Sequence, residues 1–91
     1  MTIRIHILIN GKVQQVFFRQ SLKATCIKNN VTGWVKNLQD GRVESTLEGS
    51  DLDVMRVVDW CSVGPTNSRV EYVDVRHEHF TGEFNTFEVL Y

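Results

Sequence analysis

The segment from Asn10 to Arg19 contains the residues of this sequence that are best suited to binding an anion. We predict that it leads from a strand into a helix, where free backbone N–H groups and the positive end of the helix dipole attract negative charge. Arg19 falls near the first helical turn, where the dipole disfavours a cation unless an anion is bound nearby. Its guanidinium group also matches the oxygens of a phosphate. On these residues alone, a phosphate site and a solvent-exposed Arg19 are equally good interpretations.

Asn37 is the second candidate, at the end of the segment Gly33-Trp34-Val35-Lys36-Asn37. This segment is predicted to be a strand that runs into a tight turn, which would place Asn37 at the end of a sheet. Its amide offers both a donor and an acceptor, so it can orient a water molecule. An isolated asparagine before a hairpin is more often only a turn-forming residue. The functional interpretation of Asn37 therefore depends on the rest of the sequence.

Other groups of reactive side chains are less convincing. His77 and His79 share one face of a predicted strand, but no convincing third ligand accompanies them, and we predict no metal site. Cys26 and Cys61 fall in different predicted helices and form no Cys-x-x-Cys pair, so we expect buried free thiols. Neither a nucleophile elbow nor a Walker A motif occurs. We therefore expect chemistry without a metal or a cofactor.

The composition limits the class of protein. The chain has 91 residues, 42% of them hydrophobic, and a formal net charge of −1. These values suit one small globular domain that spans residues 1–91, and the balanced charge argues against nucleic acid as a partner. No stretch is long and apolar enough to cross a membrane, and the first residues lack the features of a signal peptide. We expect a cytoplasmic protein that acts as a monomer.

The hydrophobic pattern of the first half predicts three strands and a helix. Isoleucines alternate with other residues from Ile3 to Ile9, which is typical of a strand. From about Phe18 to Asn29 or Asn30, apolar residues recur at four-residue intervals and predict an amphipathic helix. Residues 31–38 and 42–48 are predicted to form a β-hairpin through the tight turn at Asp40-Gly41.

The second half continues with a helix and two strands. Ser50 is a suitable N-cap for the helix, which Gly64-Pro65 would end. The expected apolar stripe of this helix comprises Leu52, Met55 and Val58, broadened by Val54, Val57 and Cys61. Residues 70–78 predict a fourth strand, and alternation from Phe87 to Tyr91 predicts a short fifth. The order βαββαβ plus this fifth strand predicts an α+β ferredoxin-like sandwich, with two helices on one face of an antiparallel sheet.

Two motifs in this order resemble the signatures of the acylphosphatase family. The stretch from Gly11 to Arg19 is similar to the first signature. The stretch from Gly33 to Asn37, followed by Asp40-Gly41-Arg42-Val43, is similar to the second. Weaker similarities at residues 64–70 and 87–89 extend the resemblance over essentially the whole chain. Two signatures with matching spacing are far more specific than either one alone.

The resemblance implies an enzyme that hydrolyses acyl phosphates to carboxylate and inorganic phosphate. Its implied phosphate-binding loop comprises Gln14, Gln15, Val16, Phe17, Phe18 and Arg19, where Arg19 acts together with backbone N–H groups. The resemblance also implies that Asn37 positions water for in-line attack on phosphorus, without metal or phosphoenzyme, and that the substrate's own phosphate accepts the proton. Such a reaction needs mainly positioning and charge stabilisation, which a loop, an arginine and an amide can supply.

Gln15 departs from the family pattern, which usually has glycine at this place. If the loop needs a left-handed residue there, Gln15 would cost about 1–2 kcal/mol and reduce phosphate binding or activity. This departure leaves open a non-catalytic phosphate- or anion-binding regulatory module on the same fold. An RNA-binding sheet is disfavoured by the balanced charge and the missing aromatic motif. A piece of a larger carbamoyl-transfer enzyme is disfavoured by the complete strand order and the absence of a zinc motif.

Overall fold

The structure is a computed structural model that describes every residue from Met1 to Tyr91. Its elements follow the predicted order. They are β1 (Thr2–Lys12), α1 (Phe18–Lys28), β2 (Thr32–Asn37), β3 (Val43–Ser50), α2 (Asp51–Val63), β4 (Arg69–Glu78) and β5 (Phe87–Val89). Neither helix is long and apolar enough to span a membrane.

The five strands form one sheet in the order β4-β1-β3-β2-β5. The four long strands pair antiparallel, as predicted. The short β5 instead pairs in parallel with β2, with Gly33 opposite Phe87. The sheet is therefore mixed, because the loop after β4 crosses one end of the sheet and delivers β5 in the direction of β2.

Both helices pack on one face of this sheet and bury the apolar side chains that alternate along its strands. The strands contribute Ile5, Ile7, Ile9, Val35, Val43, Leu47 and Phe87 to the core, and α1 contributes Phe18, Leu22 and Cys26. Removing these apolar surfaces from water supplies the main favourable free energy of folding. The period of two in the strands and the four-residue spacing in α1 therefore describe the core correctly.

The apolar stripe predicted for α2 is wrong in part. Val58 is buried as expected, but the side chain of Leu52 is 70% exposed and that of Met55 is 40% exposed. The buried face of α2 runs instead along Val54, Val57, Val58 and Cys61. Both the predicted stripe and the observed one have the spacing of a helix. The face that packs against the sheet is the one that contains Val54, Val57 and Cys61.

The loop from β4 to β5 is anchored by the buried carboxylate of Glu48. This carboxylate accepts hydrogen bonds from the backbone N–H groups of Thr81 and Gly82 at 3.0 and 3.2 Å. Arg4 forms an ion pair with Glu48 at 3.3 Å and a second one with Glu83 at 2.6 Å. A buried carboxylate is tolerated when it is paired and hydrogen-bonded in this way. The contacts fix the loop that delivers β5 and the chain end to the edge of the sheet.

Candidate active site

The end of β1, the start of α1 and the end of β2 meet at one end of the sheet and border a cleft. The cleft has a volume of about 330 Å³. It is lined by Val13, Gln15, Phe17, Phe18, Arg19, Gln20, Asn37 and Tyr91. Arg19 and Asn37, the two candidates from separate sequence motifs, therefore share one cavity.

The loop between β1 and α1 presents a row of free backbone donors. Gln15 and Phe17 adopt left-handed backbone angles, with φ of 62° and 58°. Left-handed residues interspersed in a turn direct successive N–H groups towards one side and form an anion-binding concavity. The N–H groups of residues 14–20 donate to no protein acceptor, and Phe17, the N-cap of α1, provides no side-chain cap. These donors and the helix dipole are available to an anion.

Gln15 has a left-handed backbone conformation, and it therefore destabilises the loop. Its φ of 62° lies in the region that glycine adopts freely and other residues adopt at a cost of about 1–2 kcal/mol. Phe17 shares this conformation, which is unusual for a bulky residue. Strained backbone of this kind clusters at functional sites, where the surrounding structure maintains it.

Arg19 lies in the first turn of α1 and is held by the end of the chain. Its Nη1 donates a hydrogen bond of 2.9 Å to the carbonyl oxygen of Leu90, and its guanidinium carbon lies 4.6 Å from the ring centre of Tyr91. Leu90 is fixed in turn by a 2.8 Å hydrogen bond from its N–H to the carbonyl oxygen of Val35. The remaining guanidinium donors bond to no protein group and can bind an anion in the cleft.

Asn37 is the last residue of β2, and its side-chain oxygen Oδ1 is buried without a hydrogen-bond partner. A buried acceptor without a partner costs about 1–3 kcal/mol. Because Asn37 lines the cleft, a water molecule or ligand that donates a hydrogen bond to Oδ1 would remove this cost. The side chain is therefore suited to orienting a hydroxyl donor beside a bound anion.

The side chain of Gln14 connects the loop to the neighbouring hairpin. Its Nε2 donates to the carbonyl oxygens of Leu38 and Arg42, at 2.7 and 3.0 Å, and so connects the loop to the hairpin turn that follows Asn37. Val16 packs against the core. Neither Gln14 nor Val16 lines the cleft, so they can contribute only backbone N–H groups to it.

Sequence reasoning missed three residues of the cleft, which are Val13, Gln20 and Tyr91. Tyr91 was expected in the terminal strand, but β5 ends at Val89 and the ring of Tyr91 turns towards Arg19. The Tyr91 hydroxyl accepts a hydrogen bond of 3.3 Å from Gln20 Nε2. The alternating hydrophobic pattern that includes Tyr91 does not predict this contact, because Gln20 and Tyr91 are far apart in the sequence.

The remaining reactive side chains lie outside the cleft. Cys26 and Cys61 are free and buried, as predicted, and burial raises the pKa of both thiols. His77 and His79 belong to no group of three or more His, Cys, Asp or Glu side chains that could hold a metal ion. The cleft with Arg19 and Asn37 is therefore the site on which a function must be argued.

Comparison with known proteins identifies the family. The acylphosphatase family model matches residues 5–89. An acylphosphatase of Pyrobaculum arsenaticum is 52% identical over 88 residues, which cover 96% of this chain and 93% of the relative, and one of Geotalea uraniireducens is 44% identical over the full length of both chains. The crystal structure of acylphosphatase from Bacillus subtilis matches with a TM-score of 0.94 and 31% identity, again over 100% of both chains. By its sequence and by its fold, this chain belongs to the acylphosphatase family.

Proposed function

We propose that this protein hydrolyses the carboxyl-phosphate bond of acyl phosphates and releases a carboxylate and inorganic phosphate. One observation carries the proposal. Arg19, Asn37 and part of the loop with free backbone donors line one cleft, and the side-chain Oδ1 of Asn37 is buried without a protein partner. The family membership of the chain supports the same activity.

The loop and Arg19 hold the phosphoryl group. Backbone N–H groups and the guanidinium fork bind its peripheral oxygens, on which charge is spread in the transition state. Because these donors are fixed before the substrate arrives, they stabilise that charge without a reorganisation cost. The contact from Arg19 to Leu90 keeps the guanidinium directed at the cleft.

Asn37 positions the attacking water. Its Oδ1 accepts a hydrogen bond from the water, whose oxygen then forms a bond to phosphorus while the bond from phosphorus to the acyl oxygen breaks. The electron pair of the breaking bond leaves with the carboxylate, and the water proton passes to a phosphate oxygen of the substrate. A carboxylate is a weak base and leaves without a general acid, so positioning and electrostatic stabilisation suffice. The scheme requires neither a metal ion nor a phosphoenzyme.

We extend the proposal to three further properties. Inorganic phosphate, as the product, binds in the same cleft and inhibits competitively. Residues 1–91 act as a single domain and as a monomer. The protein works in the cytoplasm, and its two buried free thiols are typical of a reducing compartment.

Hydrolysis of benzoyl phosphate, followed by absorbance in the presence of a chelator, tests the proposed activity. The wild type should turn over, and Arg19→Ala should reduce kcat/KM by about a hundredfold or more. Arg56→Ala is the matched control, because Arg56 is an exposed arginine on α2 that does not line the cleft. A wild type that binds phosphate without turnover would replace the proposal with a non-catalytic anion-binding module. Full activity in Arg19→Ala would contradict the role of Arg19.

A further inference from the structure

Two exposed aromatic side chains stand at the rim of the cleft. The side chain of Phe17 is 81% exposed and that of Tyr91 is 93% exposed, and both line the same cavity as Arg19. Phe17 is kept there against a conformational cost, and Tyr91 is kept there by attractive contacts. Phe17 has a left-handed backbone at φ 58°, and Tyr91 is fixed by Arg19 and by the hydrogen bond from Gln20. An apolar rim around a few polar groups is typical of a ligand pocket.

The proposed reaction determines which part of the substrate meets this rim. Attack in line requires the water and the leaving carboxylate to lie on opposite sides of phosphorus. The proposed mechanism assigns the water to Asn37, which is partly buried at the end of β2, whereas Phe17 and Tyr91 are exposed at the rim. The carboxylate and the acyl group attached to it therefore point to the rim, where Phe17 and Tyr91 lie.

The charges of the cleft select the chemistry of the acyl group. Arg19 is the only charged side chain among the lining residues, and it is assigned to the phosphoryl group. An acyl group with a second anionic end would find no further cation there. An aromatic acyl group would contact the exposed side chains of Phe17 and Tyr91, and contacts between aromatic rings are favourable beyond the apolar area that they bury.

We propose that Phe17 and Tyr91 form an acyl-binding wall that makes the protein prefer acyl phosphates with aromatic or large apolar acyl groups over acetyl phosphate. This inference rests on the proposed function for the direction of the acyl group. Within that function, the wall is a specificity element, distinct from the groups that bind the phosphoryl oxygens. Phe18 takes no part in it, because its ring is buried in the core.

Kinetics with two substrates test the wall. The quantity compared is kcat/KM for benzoyl phosphate divided by kcat/KM for acetyl phosphate, because effects on the shared phosphoryl site cancel in this ratio. We expect the ratio to fall about tenfold in Phe17→Ala and in Tyr91→Ala, as lost aromatic contacts imply. Tyr91→Phe keeps the ring and should keep the ratio. Tyr72→Ala is the matched control, because Tyr72 is an exposed tyrosine of β4 outside the cleft. A ratio that stays within about twofold of wild type in both alanine variants overturns the proposal.

Calorimetric binding of two inert analogues separates the wall from catalysis. The wild type should bind benzoylphosphonate more tightly than acetylphosphonate, and Phe17→Ala and Tyr91→Ala should lose that difference. Equal affinity of the wild type for both phosphonates would overturn the wall. Absent turnover together with a retained preference for benzoylphosphonate would overturn the proposed hydrolysis and support the wall.

Discussion

Arg19 Nη1 lies 2.9 Å from the carbonyl oxygen of Leu90, at the opposite end of the chain. The two residues meet because β5 pairs with β2 and carries the chain end to the side of the sheet where α1 begins. The contact uses one of the five N–H donors of a guanidinium group. It therefore fixes the direction of Arg19 and leaves the other donors for the phosphoryl group.

Arg19→Lys should reduce kcat/KM for benzoyl phosphate about a hundredfold. A single ammonium group cannot hold the Leu90 carbonyl and also offer two parallel N–H donors to a phosphate. Because Arg19 is only partly buried and its single hydrogen bond to the protein is exposed, the free energy of unfolding in urea should change by less than about 1 kcal/mol. Wild-type kinetics in Arg19→Lys would show that the planar fork is not needed.

Gln15→Gly should stabilise the protein and raise its activity. Glycine adopts a φ of 62° without strain. Glycine also increases the conformational entropy of the unfolded chain, which offsets part of this gain, so the free energy of unfolding should rise by about 0.5–1 kcal/mol. For a domain of this size, thermal unfolding should shift upward by roughly 2–8 °C. Gln39→Gly is the matched control, because Gln39 lies in a turn without a left-handed φ, and it should destabilise slightly. A Gln15→Gly variant that is less stable and no faster than wild type would refute the strain argument.

Gln14 connects the loop to the hairpin, so its loss should affect both stability and turnover. Gln14→Ala removes the donor shared by the carbonyl oxygens of Leu38 and Arg42 and should cost about 1–2 kcal/mol in urea unfolding. Gln14→Glu should cost more, because its carboxylate would face these oxygens without a proton to donate. In both variants kcat should fall, since the loop loses its fixed position relative to Asn37. Gln39→Ala, as an exposed glutamine of the same turn, should change neither quantity, and equal stability of wild type and Gln14→Glu would rule out this connection.

Cys26 and Cys61 should resist alkylation in the folded protein. Burial raises the pKa of both thiols, and only the thiolate reacts. At pH 8, iodoacetamide should label neither thiol in the native state and both in urea, as measured by mass spectrometry. Rapid labelling of either thiol in the native state would contradict the burial of α1 against α2 and the sheet.

The same thiols should make stability depend on alkaline pH. A raised folded-state pKa means that their contribution is fully present below the pKa of the unfolded chain, at about 8.5, and declines as pH rises above it. The free energy of unfolding should therefore fall more steeply between pH 8 and 10 in wild type than in Cys26→Ala/Cys61→Ala. Parallel pH profiles would show that the thiols are not linked to folding.

Much of the fold was predictable because local signals agree with tertiary packing. The alternating isoleucines of β1 bury Ile5, Ile7 and Ile9. Ser50 caps α2 as expected, since its side chain accepts a hydrogen bond from the N–H of Asp53 at 3.2 Å. Arg19 and Asn37 were predictable candidates because each stands at the boundary of an element, where groups project beyond the sheet.

The rest depends on contacts between distant parts of the chain. The alternation at Phe87, Val89 and Tyr91 does not show that the strand ends at Val89 or that it pairs in parallel with β2. It also cannot show that the last side chain covers Arg19. The exposure of Leu52 has the same origin, because helical spacing does not say which of two overlapping stripes meets the sheet.

The catalytic role of Asn37 is tested with Asn37→Ala, by turnover of benzoyl phosphate together with urea unfolding. We expect kcat to fall about a hundredfold, because no side chain replaces Oδ1 in orienting the water. Stability should not decrease, because Oδ1 is a buried acceptor without a partner and its removal relieves a cost. Turnover at the wild-type rate would contradict the role of Asn37 in catalysis, and lost activity that merely follows lost stability would make Asn37 a structural residue.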